Sequence, residues 1–134
     1  MKRRTLILLI TGTAYLLTSC DPAKLIILKN KTEKPAYFRW TVRTDSTNIN
    51  GEQPFKTLTL DLGTSKSDKE RTIVLGFGNW PTSEIERFVN EDIQSIEIAS
   101  VNEKIIMTDK TEIKNYLIVR RHGIFKNFIS IKLK

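Results

Sequence analysis

Cys20 and His122 are the single thiol and the single imidazole of this 134-residue chain, so any Ser–His–Asp or Cys–His mechanism would have to use His122. His122 lies in Arg120-Arg121-His122-Gly123, beside a glycine. That context reads as a surface turn, and no catalytic role is assigned to it. A metal site would need His122 and scattered carboxylates, and no spacing recommends one. One Cys also excludes a disulfide framework, a multi-Cys zinc site and an iron–sulfur cluster within a single chain. Paired acids exist, among them Glu84/Glu86 and Glu91/Asp92. The first fits helix capping and the second a solvated helix end, whereas glycosidase chemistry needs carboxylates a few ångströms apart across a cleft. Gly76-Phe77-Gly78 lacks the third Gly and the Lys of phosphate-binding loops and reads as turn punctuation. No catalytic residue, metal or cofactor is assigned, and the reading leans away from an enzyme.

Binding chemistry is better represented. Trp40, Trp80, Tyr37 and Tyr116 could stack on sugar rings. Against this, Trp40 shares a strand face with Phe38 and Val42, as a core residue would, and Trp80 could pack on the helix after it. Arg120, Arg121, Lys126, Lys132 and Lys134 form a basic run. Beside an anionic bilayer each cation could add about 1 kcal/mol; otherwise the run is a solvated face.

The first twenty residues are the most informative. Lys2, Arg3 and Arg4 precede an uncharged, aliphatic-rich stretch, Thr5 to Leu17, which ends in Thr18-Ser19-Cys20. Cations, a short apolar segment and small residues in that order make an export signal, and the stretch is too short for a comfortable membrane span. Leu17-Thr18-Ser19-Cys20 resembles the lipobox of bacterial lipoproteins. The resemblance implies cleavage before Cys20, a diacylglyceryl group on its thiol and acylation (palmitate or similar) of the new amino terminus. Residues 1–19 are then a signal peptide, 20–24 the lipidated Cys and its tether, and 25–134 one domain. The formal charge of +7 falls by three when Lys2, Arg3 and Arg4 are removed. A concentrated basic footprint for nucleic acid is therefore not expected. The tail Asp21-Pro22-Ala23-Lys24 carries one acid. In enteric bacteria an acid there resembles an inner-membrane retention signal, a rule that does not carry over well to Bacteroidota, where surface export is linked to acidic residues after the Cys and a single acid is a poor export signal; an outer-membrane or cell-surface location is favoured over the inner membrane. Asp45-Ser46-Thr47 resembles the O-glycosylation motif of Bacteroidota, which implies a possible glycan on Ser46.

Elements must now position these residues. The composition, 40% hydrophobic and 28% charged, is that of a globular domain and not of a disordered chain. Leu25-Ile26-Ile27-Leu28 and Ala36 to Arg43 read as strands joined by a polar turn, which suggests a hairpin. In the second strand Phe38, Trp40 and Val42 alternate with Tyr37, Arg39, Thr41 and Arg43. Phe55 to Leu62 and Arg71 to Phe77 alternate too, the latter with Ile73, Leu75 and Phe77 on one face. Ser83-Glu84-Ile85-Glu86 fits a capping box that opens a helix from Thr82 to about Asn90, with Ile85, Phe88 and Val89 inward. Ile93 to Val101 and Lys104 to Met107 read as a hairpin. A second helix starts at Asp109-Lys110-Thr111, and residues 116–120 fit helix or strand equally. Ile124 to Leu133 is a terminal strand.

The expected fold is mainly β, a β-sandwich or an open barrel-like antiparallel sheet with one or two short helices. The layout resembles small lipoproteins of Bacteroidota. The expected function is a lipid-anchored, non-catalytic cell-envelope protein that binds a partner protein or glycan. The alternatives are a small envelope hydrolase acting on sugar or peptidoglycan, and a structural or adhesive subunit of a surface complex. The expected partners are the membrane, through the lipid on Cys20, and an envelope protein or glycan, with no nucleic acid.

Overall fold

The computed structural model describes residues 21–44, 54–67 and 70–133. Cys20 and Ser46, with the expectations attached to them, lie outside the described residues. In chain order the elements are β1 (Ala23–Asn30), β2 (Ala36–Arg43), β3 (Phe55–Gly63), a 3-10 turn (Ser65–Ser67), β4 (Glu70–Phe77), α1 (Thr82–Glu91), β5 (Ile93–Ser100), β6 (Lys104–Met107), α2 (Lys110–Ile118), β7 (Arg121–His122) and β8 (Phe128–Leu133). The strands form two four-stranded sheets, β4-β1-β8-β7 and β3-β2-β5-β6, stacked as a β-sandwich. Among the described residues neither sheet closes into a barrel.

Alternation explains the shared core. Ile26 and Leu28 of β1 and Ile129 and Ile131 of β8 face inward from one sheet, and Phe38, Trp40, Ile96, Ile98 and Leu62 from the other. Two-residue periodicity puts such side chains on one face of a pleated strand. α1 adds Ile85 and Val89 and α2 adds Ile113 and Leu117, all buried. Lys110 of α2 caps the end of α1, donating from Nζ to the carbonyl of Val89 (2.8 Å) and to that of Ile93. A cation on the last carbonyls of a helix is favoured by the orphan acceptors there.

Several expectations need correction. β1 and β2 do not form a hairpin: β1 lies between β4 and β8, and β2 between β3 and β5. Buried Asn30 explains the crossover. Its Nδ2 donates to the carbonyls of Lys34 and Gly63, and its Oδ1 accepts from Thr32 N (2.9 Å) and Thr32 Oγ1 (2.8 Å), which fixes the connection that leaves one sheet for the other. All pairings are antiparallel except β1 with β8, which run parallel. The capping box does not form. Pro81 occupies the N-cap with no side-chain cap bond, so Ser83 falls two positions past the cap, and Glu86 instead accepts from Lys114 at 3.1 Å. Asp109 does cap α2, accepting from Glu112 N at 2.8 Å; of the segment left open at 116–120, residues 116–118 are helical and 119–120 turn. The terminal strand begins at Phe128, because residues 123–127 turn.

The strand β4 departs from strict alternation. Leu25 pairs with Val74, but Ala23 pairs with Phe77, so one extra residue is accommodated on β4. Gly76 sits there at φ +117°, a conformation that side-chain-bearing residues avoid. The bulge turns Phe77 outward, 73% exposed, away from the face of Ile73 and Leu75.

Candidate functional site

The register defines two ends. Residue 21, Phe77 and Phe128 lie near the start of β1, while Asn30, Leu133 and Gly63 lie at its finish. Eight residues at about 3.3 Å each separate the ends by roughly 25 Å. The cleft with convergent polar groups is at the finish, where Lys31 N donates to Leu133 O and Ser65 N to Thr32 O. It holds about 170 Å³ and is lined by Thr32, Ile98, Ser100, Glu103, Ile105, Tyr116, Arg120, Lys132 and Leu133.

Tyr116 of α2 and Arg120, two residues past the end of that helix, form the central pair. The i, i+4 spacing sets the Arg120 guanidinium 3.5 Å from the centroid of the Tyr116 ring, and Arg120 Nη1 also donates to Tyr116 O at 2.9 Å. Burial pushes the Tyr116 phenol above its ordinary range, against the opposing pull of Arg120, so it stays protonated and available as a donor. Lys132 adds a second cation from β8, and Glu103 an acid from the β5–β6 turn. The wall continues along β6, which among the described residues pairs with β5 alone as an edge strand and exposes half of Ile105 and Ile106.

A second hollow lies on the outer face of the β2 sheet and shares Ser100 with the first. It encloses about 410 Å³, with Tyr37, Ala36, Pro35 and Val101 as apolar lining and Thr59 and Asp61 as polar lining. Tyr37 OH donates to Glu97 Oε1 at 2.9 Å, and Arg39 lies 5.2 Å from the Tyr37 ring while pairing with Glu97 at 3.3 Å. Lys104 meets the same carboxylate at 3.3 Å. Partial burial pushes the Glu97 carboxyl up, but the hydrogen bonds of Tyr37 and Lys104 and the charges of Arg39 and Lys104 outweigh it and hold the group below the usual carboxylate range.

The four aromatic candidates are not brought together. Trp40 (3% exposed) and Trp80 (2%) are core residues, each in ring contact with Phe88 of α1 at 6.1 and 5.7 Å, and neither offers a face to a sugar. Tyr37 and Tyr116 lie half-buried in the two separate hollows. The basic run is divided likewise. Arg120 and Lys132 line the cleft, Arg121 is spent on the carbonyls of Ile118 and Trp80, Lys126 is at the other end, and Lys134 is outside the described residues. His122 stacks on Phe128, with centroids 5.9 Å apart. Glu97, Glu103 and Ile105 were not singled out by sequence. Arg39 and Glu97 oppose each other across β2 and β5, a juxtaposition that needs strand order. Among the described residues no group of three or more His, Cys, Asp or Glu is placed to hold a metal, and no helix is long and apolar enough to cross a membrane. No protein-family model, no curated protein and no solved structure matches the chain.

Proposed function

We propose that this chain is a lipid-anchored protein of a bacterial envelope, at the outer membrane or cell surface, that holds a partner protein or a glycan at the end of its sandwich far from the anchor. The observation that carries the reading is the Tyr116–Arg120 cleft, which opens beside the half-exposed edge strand β6 at the end opposite residue 21. Its groups are a guanidinium, an ammonium, a protonated phenol and one carboxylate. They suit docking of an anionic or hydroxyl-rich group, and none of the lining residues forms the nucleophile–base pair that covalent catalysis requires. Open edge strands accept an extended segment of another protein through main-chain hydrogen bonds, which favours a protein partner at β6. The Tyr37 hollow, an aromatic and apolar surface with Asp61 and Thr59 beside it, supports the glycan reading.

The test has two arms. A photo-crosslinking side chain at Ile105 in the living cell is expected to yield one discrete adduct, which Arg120→Glu abolishes while the melting temperature holds. A glycan array is expected to give binding that Tyr37→Ala removes if the ligand is a sugar. No adduct and no array signal sinks the binding assignment. The anchor is tested separately: Cys20→Ala is expected to lose fatty-acid labelling and release the protein from membranes, and labelling equal to wild type would refute lipidation at Cys20.

A further inference from the structure

We propose that the end of the sandwich nearest the tether is itself a lipid-contacting surface, with Phe77, Ile124 and Phe125 entering the interfacial layer of the bilayer; the inference rests on the lipid anchor at Cys20. Two unrelated backbone devices point apolar side chains outward at this one end. The first is the turn after β7. Lys126 N donates to Gly123 O at 3.0 Å, so the two central residues of the turn are Ile124 and Phe125, 96% and 65% exposed. Such positions ordinarily carry Gly, Pro, Asn, Asp or Ser. Gly123 permits the turn at φ +90°, where a Cβ would lie 2.7 Å from Asn127 Oδ1 and 2.9 Å from Phe128 Cε1. The second device is the Gly76 bulge, which turns Phe77 out of the core face.

The turn is tied down rather than loose. Lys126 O accepts from Trp80 N at 2.9 Å, Asn127 O accepts from Leu25 N at 3.0 Å, and Asn127 Nδ2 donates to Ala23 O at 3.1 Å. Pro22 O accepts from Gly78 N at 2.7 Å, which holds the end of β4 to the same stretch. The segments that carry the three apolar side chains thus flank Pro22 and Ala23 on both sides. From Ala23 back to Cys20 the chain reaches at most about 11 Å, so acyl chains on Cys20 bring the bilayer to this end. Aromatic side chains favour the membrane–water interface, and the exposed Lys126 in the same turn suits an anionic headgroup. Clustered exposed apolar groups mark interaction surfaces, and the length of the tether selects lipid as the occupant. This seating would leave the Tyr116–Arg120 cleft facing away from the membrane.

The experiment uses the full lipidated chain in vesicles of phosphatidylethanolamine and phosphatidylglycerol. Phe125→Cys and Val101→Cys each carry an NBD fluorophore; Val101 is equally exposed but at the far end. Unchanged melting temperatures confirm that both variants fold. The probe at 125 is expected to shift to the blue and to be quenched by nitroxide-labelled lipids, and the probe at 101 to do neither. If the protein floats with vesicles and both probes report water, the inference falls and the anchor stands. Shielding at 125 without lipid quenching indicates a second copy or a partner protein and also overturns it. If the wild-type chain takes up no fatty acid, the anchor reading fails and the inference fails with it.

Discussion

At the end where the chain enters the sandwich, apolar side chains point outward from tight turns and a lysine is buried. At the far end the rings are half-covered and the charges line the surface. Lys24 is nearly enclosed, its Nζ paired with Glu84 and 5.2 Å from the centroid of the Trp80 ring. Arg39, Glu97 and Lys104 form their network on an open sheet face, and Arg120 and Lys132 border a cleft. Both ends expose apolar side chains, but only the tether end encloses a cation, although both are built from strand ends and turns. An end that hides a charge and shows phenylalanine suits an apolar neighbour; an end that displays a guanidinium on a tyrosine suits a polar ligand.

The comparison depends on the core that joins the ends, and breaking the core should give the largest effect. Phe38, Trp40, Phe88 and Trp80 contact one another in sequence at 5.7–6.1 Å and connect the β2 sheet to α1. Trp40→Ala is expected to cost about 3–5 kcal/mol, from lost burial and the cavity left behind. Thr41→Ala, on the outer face with its hydroxyl 3.0 Å from that of Thr57, is expected to cost less than about 1 kcal/mol. Urea and thermal unfolding of the pair check this, and near-equal stabilities would remove Trp40 from the core. Trp40→Phe sharpens the test: the indole N–H has no hydrogen-bond partner among the described residues, so only volume is lost.

The buried pair at the tether end comes next. Glu84→Gln leaves the Lys24 ammonium enclosed without its counter-charge, and the expected loss is about 1–3 kcal/mol. Lys24→Met removes the charge and keeps the aliphatic stem beside Trp80, so it is expected to be near neutral or stabilising. Equal destabilisation by both variants would mean that the pair contributes net attraction, and burial of charge would then not distinguish this end.

The two glycine devices should rank beside that pair. Gly123→Ala and Gly76→Ala both force a side chain into positive φ, a strain of about 1–3 kcal/mol. Gly123 should be the worse site, because its added Cβ also meets Asn127 and Phe128, whereas nothing lies within 4 Å of the Cβ at Gly76. Denaturant midpoints order the two. If Gly76→Ala proves the more costly, the bulge supports more of the fold than its open surroundings indicate.

Much of the fold was legible because local pattern and tertiary role coincide. The alternation of Phe38, Trp40 and Val42, the i, i+3, i+4 spacing of Ile85, Phe88 and Val89, and the cap at Asp109 each report the face that the fold buries. What stayed illegible is non-local. Parallel pairing of β1 with β8, the crossover held by Asn30 and the register slip at Gly76 depend on partners far along the chain. Strict period two therefore placed Phe77 inward. Three members of the distal site were visible as residue types, Tyr116, Arg120 and Lys132, but their meeting with Glu103 and Ile105 needs the sheet order. The aromatic quartet misled for the opposite reason: composition cannot tell a ring that fills a core from one that faces a ligand.

The smallest expected effect belongs to the distal network and separates it from the tether end by its pH dependence. Glu97 is held below the usual carboxylate range in the folded protein: covering by the sheet raises it, and Tyr37, Lys104 and Arg39 more than reverse that. A group with a depressed folded pKa contributes stability above its unfolded value, about 4.3, and loses it as pH falls through the folded value. Wild type should therefore exceed Glu97→Gln in melting temperature by a constant margin above about pH 5, and the margin should shrink toward zero on acidification below about pH 4. Because Arg39 and Lys104 are in reach of water, added salt should reduce the margin at neutral pH. A margin that grows on acidification would reverse the sign and show that burial, not the three donors, governs this carboxyl. The distal face would then hide charge as the tether end does, and the contrast between the two ends would fail at its polar side.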